Sequence, residues 1–191
     1  MAPLTGSRLE RFLRSELNSP ETDAAVSWVG REFGGLLASS RGNLTRALAA
    51  VRLGASPEEV ARFLDWKEFE LFCAALLRAR GFLVEENITM TKPRAQVDLL
   101  ARSDSVALAV DCKHWSKTMG QGALSRVVGA QAKRAKLLRQ RMGHVEPMVV
   151  VILLMSNEPA RYEDGGAVVP IYALRDFLDN FPAYSGELTR Y

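Results

Sequence analysis

Apolar residues recur at helical spacing through the first 60 residues of the chain, as Leu9, Phe12 and Leu13 illustrate. Ser56 and Pro57 then have the character of a helix N-cap and a first helical position. This part of the sequence therefore predicts a set of short helices.

A longer helix is predicted from Trp66 to about Arg80. Asp65 and Glu68 match a capping box at its start, and Glu68 is interpreted as a capping residue alone. Gly81 suits the position that follows a helix end. We expect a helical N-terminal region at residues 1–64 and a second domain at residues 65–191.

After Gly81 the apolar pattern alternates between strands and helices. Strands are predicted at Phe82–Thr91, Ala95–Ala101, Val106–Lys113, Pro147–Leu154 and Val168–Tyr172, and helices at about Ala123–Met142 and Leu174–Phe181. This order predicts an α/β fold in which helices flank a mixed β-sheet.

Polar residues interrupt several of the faces that periodicity predicts to be buried. Asp111 and Lys113 stand two apart at the end of an apolar strand, so their side chains share one face. Glu70, Asp98 and Gln131 likewise fall on core-like faces of a helix, a strand and the long helix. Buried carboxylates and amides cost several kcal/mol unless they are paired or bind a metal. These five residues are therefore candidates for a functional site.

Each candidate also has a purely structural interpretation. Glu70 could pair with Arg78, and Asp98 could cap a turn or pair with Lys113. Gln131 could satisfy a loop carbonyl. The functional interpretation gains weight only because all five residues could converge at one edge of the sheet.

The composition is that of an ordinary globular protein, with 191 residues, 48% of them hydrophobic and 25% charged. No apolar run approaches the roughly 20 residues needed to span a bilayer, and the N-terminus lacks a secretory pattern. We expect a cytoplasmic protein without a membrane partner. Cys73 and Cys112 fall at core-like positions and suggest no disulfide, and His114 and His144 are too few to indicate a zinc site.

The distribution of charge is more informative than the net charge of +3. Between Cys112 and Val145 there is no acidic residue, whereas basic residues occur at Lys113, Lys117, Arg126, Lys133, Arg134, Lys136, Arg139 and Arg141. Such a block suits a polyanion such as nucleic acid. The alternative is a solvated helix face with no partner.

The polar candidates resemble the motif of the PD-(D/E)xK nuclease superfamily, which has the restriction-endonuclease-like fold. Asp98 and Asp111-Cys112-Lys113 match its two acidic positions and its lysine. Phe69-Glu70 and the following RARGFLV segment are similar to Mrr-type restriction endonucleases and archaeal Holliday-junction resolvases. Gln131 is similar to the glutamine that some branches of the superfamily place behind the lysine. The chain departs from the Mrr pattern at residues 92–96, KPRAQ, where glycines are usual, and at Asp111, where Glu or Gln is commoner.

The resemblance implies a metal-dependent DNA endonuclease that uses Mg²⁺, or alternatively Mn²⁺. Asp98, Asp111 and the carbonyl of Cys112 would be metal ligands, with Glu70 acting through water. Lys113 would orient or deprotonate the attacking water or stabilise the phosphate, with Gln131 placed behind it. The expected DNA contacts are Arg94, Lys117, Arg126, Lys133, Arg134 and Lys136.

Two other functions remain open at the level of the sequence. The first is a non-catalytic nucleic-acid-binding protein on the same fold, in which the acidic residues only shape a groove. The second is a structural α/β subunit whose basic helix meets an acidic protein. Cleavage of both DNA strands would favour a homodimer.

Overall fold

The computed structural model describes residues 3–38, 43–115, 120–142, 146–155 and 158–191. The chain forms two compact units, Met1–Ala75 and Leu76–Tyr191. The division falls within a helix, so each unit is described separately.

The first unit is helical, as the apolar spacing predicts. Its helices are α1 (Gly6–Leu13), α2 (Pro20–Glu32), α3 (Gly34–Leu37), α4 (Asn43–Arg52), α5 (Pro57–Ala61) and the larger part of α6 (Trp66–Arg78). Leu9, Phe12, Val29 and Leu44 are buried in its core. Ser56 stands at the N-cap of α5, but its side chain makes no capping hydrogen bond.

The capping box predicted for α6 is present. The Glu68 N–H donates to Asp65 Oδ1 at 2.9 Å, and the Asp65 N–H donates to Glu68 Oε2 at 3.4 Å. Glu68 is also buried and accepts hydrogen bonds from the main-chain and side-chain nitrogens of Asn43. The interpretation of Glu68 as a cap alone was therefore wrong, because its carboxylate also satisfies donors at the start of α4.

In the described part of the chain, the second unit is built on a mixed sheet of six strands in the order β1-β2-β3-β4-β6-β5. The strands are β1 (Leu83–Thr91), β2 (Arg94–Arg102), β3 (Ala107–Lys113), β4 (Met148–Leu154), β5 (Arg161–Glu163) and β6 (Gly166–Pro170). β1, β2 and β3 are successive antiparallel neighbours, whereas β3, β4 and β6 run parallel. The predicted mixed sheet flanked by helices is confirmed.

The long helix α7 (Gln121–Met142) connects the parallel strands β3 and β4. Its apolar stripe packs on one face of the sheet in a cluster that includes Leu124, Val128, Ala135 and Leu138. Gln131 lies on the same buried stripe. The connection therefore brings a polar group of α7 to the face of β3 that carries Asp111.

Glycine is required at the two turns that the sequence marks most clearly. Gly81 follows α6 with a φ of +84°, and Gly165 enters β6 with a φ of +77°. Residues other than glycine rarely adopt this left-handed backbone conformation. At Gly165 a Cβ would also lie only 2.0 Å from Thr189 Oγ1.

The end of the unit departs in detail from the prediction. The three-residue strand β5 was not predicted, because so short a strand has no periodicity to detect. The last long strand is Gly166–Pro170 rather than Val168–Tyr172, and it is followed by α8 (Leu174–Asp179) and α9 (Phe181–Tyr184). Among the described residues, no helix is long and apolar enough to cross a membrane.

Candidate active site

The antiparallel pairing of β2 and β3 explains why Asp98 and Asp111 meet. Leu99 lies opposite Val110, so one further step of the register places Asp98 opposite Asp111. The Cys112 N–H donates to Asp98 Oδ2 at 2.9 Å, which fixes the Asp98 carboxylate beside the end of β3. Two carboxylates thus lie together where the ladder of these strands ends.

Asp111 is the most buried of the acidic candidates, with 2% exposure. Lys113 Nζ lies 2.6 Å from its Oδ2, and Arg134 Nη1 lies 3.1 Å from its Oδ1. The contact with Lys113 is a close ion pair without the alignment of a hydrogen bond. Among the described residues, two cations therefore share one buried carboxylate, and Lys113 pairs with Asp111 rather than with Asp98.

Gln131 is fully buried and is held toward the same cluster. Its Oε1 accepts a hydrogen bond from Arg134 Nη1 at 3.2 Å. Its Nε2 has no hydrogen-bond partner in the described part of the chain, so this amide donates to no loop carbonyl there. A buried amide donor without an acceptor costs about 1–3 kcal/mol, so this donor fits a site that receives an oxygen from outside the protein.

The surroundings of Asp98 raise the pKa of its carboxyl above the ordinary value. Burial is the largest cause that raises the pKa of this carboxyl, and the negative charge of Asp111 acts in the same direction. The hydrogen bond from Cys112 and the charges of Lys113 and Arg134 lower the pKa in opposition, yet the net direction is upward. A cation bound beside Asp98 would lower the pKa of this carboxyl again, because the cation attracts the ionised form.

The donor set suits a small oxygen-seeking cation better than a metal with many protein ligands. Across the described ranges, no three His, Cys, Asp or Glu side chains are grouped so that they could hold a metal ion. Mg²⁺, however, is commonly bound through one or two carboxylates together with water and substrate phosphate. Asp98, Asp111 and the main-chain carbonyl of Cys112 fit that requirement.

A surface pocket of about 360 Å³ opens beside the Asp111–Lys113 pair. Arg126 and Arg134 of α7 line it, together with Trp115, which follows β3. Trp115 is not among the sequence candidates, because its place just beyond the Asp-Cys-Lys motif does not by itself relate it to α7. The pocket combines positive charge with an exposed aromatic ring.

The remaining candidates differ in their relation to this cluster. Glu70 is half-buried on α6 within the first unit, and its role as a metal ligand stays a prediction. Arg94, Lys133 and Lys136 are exposed in the second unit, as a contact with phosphate would require. Lys117 lies outside the described residues.

The comparisons with known proteins agree with this fold. Residues 61–139, which are fewer than half of the chain, match the Mrr-type restriction endonuclease family. The chain is also 25% identical over 127 residues to an uncharacterized protein of Archaeoglobus fulgidus, a match that covers 65% of this chain and 97% of the relative. Residues 61–139 are thus similar to Mrr-type restriction endonucleases, and the mixed sheet is consistent with the PD-(D/E)xK restriction-endonuclease-like fold.

Proposed function

We propose that the protein is a metal-dependent DNA endonuclease that hydrolyses phosphodiester bonds at the Asp98–Asp111 edge. The observation that carries this proposal is the buried Asp111 with Lys113 Nζ at 2.6 Å, placed beside Asp98 and open to a cationic pocket. The match of residues 61–139 to a restriction endonuclease family supports the same reaction class.

Asp98, Asp111 and the Cys112 carbonyl would hold Mg²⁺ or Mn²⁺. The cation would polarise the phosphate and neutralise charge on the leaving oxygen. The charges of Lys113 and Arg134 already neutralise Asp111, so binding of the cation requires at least one of them to move away from the carboxylate. The same positive groups would then be available to the phosphate.

Lys113 is proposed as the catalytic cation. It lies at the end of β3, where its ammonium can orient or deprotonate an attacking water or stabilise charge on the phosphate. Its side chain is 24% exposed, so it reaches solvent while remaining beside the buried carboxylate. Gln131 would position Arg134, because its carbonyl oxygen accepts a hydrogen bond from that guanidinium.

The exposed face of α7 would position DNA. Arg126, Lys133 and Lys136 project from this helix without a neighbouring acidic residue in its sequence, and Arg94 begins β2. Contacts of this kind hold phosphates and set the register of the duplex, but they do not read its sequence. DNA is therefore the proposed partner, and cleavage of both strands would require a homodimer or two separate events.

One observation favours a second function, a non-catalytic DNA-binding protein on the same fold. Both oxygens of Asp111 have cationic neighbours within the protein, which is the arrangement of a structural ion-pair cluster. In that case the acidic residues would shape the groove, and the basic helix alone would carry the function.

Incubation of the protein with linear, supercoiled, branched and single-stranded DNA tests the proposal. Each substrate is given Mg²⁺, Mn²⁺ or EDTA, with an Asp111→Asn variant purified in parallel. We expect cleavage with either cation, none in EDTA and none by Asp111→Asn. Salt-sensitive binding without cleavage would support the non-catalytic function, and absence of both would leave a structural subunit.

A further inference from the structure

The pocket beside Asp111 has a composition that the phosphodiester chemistry alone does not explain. Trp115 is 43% exposed, and Ala123, Val127 and Ala130 of α7 provide further apolar lining. A phosphate needs only the charged residues of the pocket. The apolar part therefore indicates a ligand that has an apolar surface as well as an anionic group.

The charged part of the pocket specifies the second property of the ligand. Among the described residues that line the pocket, Lys113, Arg126 and Arg134 supply three positive charges against the single carboxylate of Asp111, which gives a formal excess of two. Lys113 Nζ lies 5.7 Å from the centre of the Trp115 ring, within the range of a cation–π contact. An aromatic ring beside three cations matches a nucleobase that carries its own phosphate.

We propose that this pocket, here called the Trp115 pocket, binds one unpaired nucleotide next to the phosphate that is cleaved. A base inside a duplex is stacked and cannot reach an aromatic side chain, whereas an extruded or single-stranded base can. The volume of about 360 Å³ lies within the range of small-ligand sites. The inference rests on the proposed action on DNA, and it names the substrate class as DNA with unpaired bases.

The position of the pocket relates the base to the reaction. Asp111 and Lys113 belong both to the proposed catalytic edge and to the wall of the pocket. A nucleotide stacked on Trp115 would therefore adjoin the reacting phosphate. Arg126 and Arg134 would contact the phosphates on either side of that nucleotide.

The test compares the affinity of the protein for three DNAs in Ca²⁺ without cleavage. They are a fully paired duplex, the same duplex with one bulged adenine, and one of its single strands. We expect the wild type to prefer the bulged and single-stranded DNA over the duplex. Trp115→Ala should lose about tenfold of that preference, whereas Trp115→Phe should keep most of it because a stacking surface remains.

Trp66→Ala is the matched control, because Trp66 is also exposed and has Lys67 Nζ 5.2 Å from its ring centre. This variant should keep the full preference. A 2-aminopurine at the bulge adds a second readout, because stacking on Trp115 should quench its fluorescence. Measured with the DNA fully bound, this quenching does not depend on a general loss of affinity. Retention of preference and quenching by Trp115→Ala would overturn the proposal, and so would an equal loss of affinity for all three DNAs.

The test separates this inference from the proposed nuclease activity. Cleavage in Mg²⁺ by a wild type that shows no preference for unpaired DNA would overturn the pocket and leave the nuclease. A Trp115-dependent preference without cleavage in any metal would support the pocket and overturn the nuclease.

Discussion

Replacement of Lys113 with Met tests whether the lysine acts in catalysis or only balances the charge of Asp111. Asp111 is 3% exposed in its side chain and has cations at 2.6 Å and 3.1 Å, from Lys113 and Arg134. At an effective dielectric constant of about 20, these separations correspond to attractions of about 6 and about 5 kcal/mol before desolvation. Methionine keeps an unbranched side chain of nearly the same length but removes one of the two attractions.

The expected loss of stability is small because Arg134 stays with the carboxylate. Removal of a sole partner from a buried charge costs about 3–5 kcal/mol. With a second cation still in place, we expect Lys113→Met to lower the free energy of unfolding by about 1–2 kcal/mol. Cleavage should fall by about 10²-fold or more, a larger factor than any loss of DNA affinity, because the lysine acts on the transition state.

Urea unfolding and single-turnover cleavage measure the two effects on the same preparation. Arg80→Met is the matched control, since it breaks an exposed ion pair with Asp179 at 3.1 Å. It should change stability by no more than about 1 kcal/mol and leave cleavage intact. Lys113→Met that still cleaves DNA at the wild-type rate would refute the catalytic role and leave the lysine as a structural partner of Asp111.

Three further predictions concern other parts of the second unit. In EDTA, the raised pKa of Asp98 means that the folded state holds this proton more tightly than the unfolded state. Wild-type stability should therefore fall relative to Asp98→Asn as pH rises from the ordinary carboxyl range through the raised pKa, and parallel pH profiles in thermal unfolding would contradict this. Lys133→Ala should reduce the slope of log DNA affinity against log salt concentration by about one unit, whereas Lys67→Ala on α6 should not. Equal slopes for the two variants would show that Lys133 contacts only solvent. Gly166→Ala should destabilise the fold by about 1–3 kcal/mol, because its Cβ would lie 2.7 Å from Val128 Cγ1, and unchanged urea unfolding would show that the two side chains readily repack.

The sequence predicts the elements of the second unit well because the apolar pattern there is strong. β4 is buried along its whole length, and β3 is buried up to Lys113, so their apolar runs are easy to recognise. Against this apolar pattern, Asp98, Asp111 and Gln131 stand out as polar residues at positions predicted to be buried. The sequence alone therefore identifies the polar residues of the candidate site that lie on faces predicted to be buried.

The partners of these polar residues could not be predicted from periodicity. Arg134 was assigned to DNA contact, and only the fold shows its guanidinium 3.1 Å from Asp111. Helical spacing places Arg134 near Gln131, but the distance to Asp111 depends on how α7 packs against β3. Trp115 was missed for a similar reason, because a single aromatic residue after a strand has no pattern that relates it to α7.

The proposed function requires above all that Asp98 and Asp111 form a cation site that faces DNA. The direct test is the affinity of wild type and of Asp98→Asn for a short duplex, measured in EDTA and in Ca²⁺. A trace of contaminating nuclease would not imitate the expected difference in affinity. Close like charges oppose each other by about 1 kcal/mol at about 4 Å in water, or about fivefold in affinity. We predict that Ca²⁺ tightens wild-type binding, and that Asp98→Asn binds more tightly than wild type in EDTA but gains less from Ca²⁺. Equal affinities of the two proteins in EDTA, with equal gains from Ca²⁺, would contradict the account.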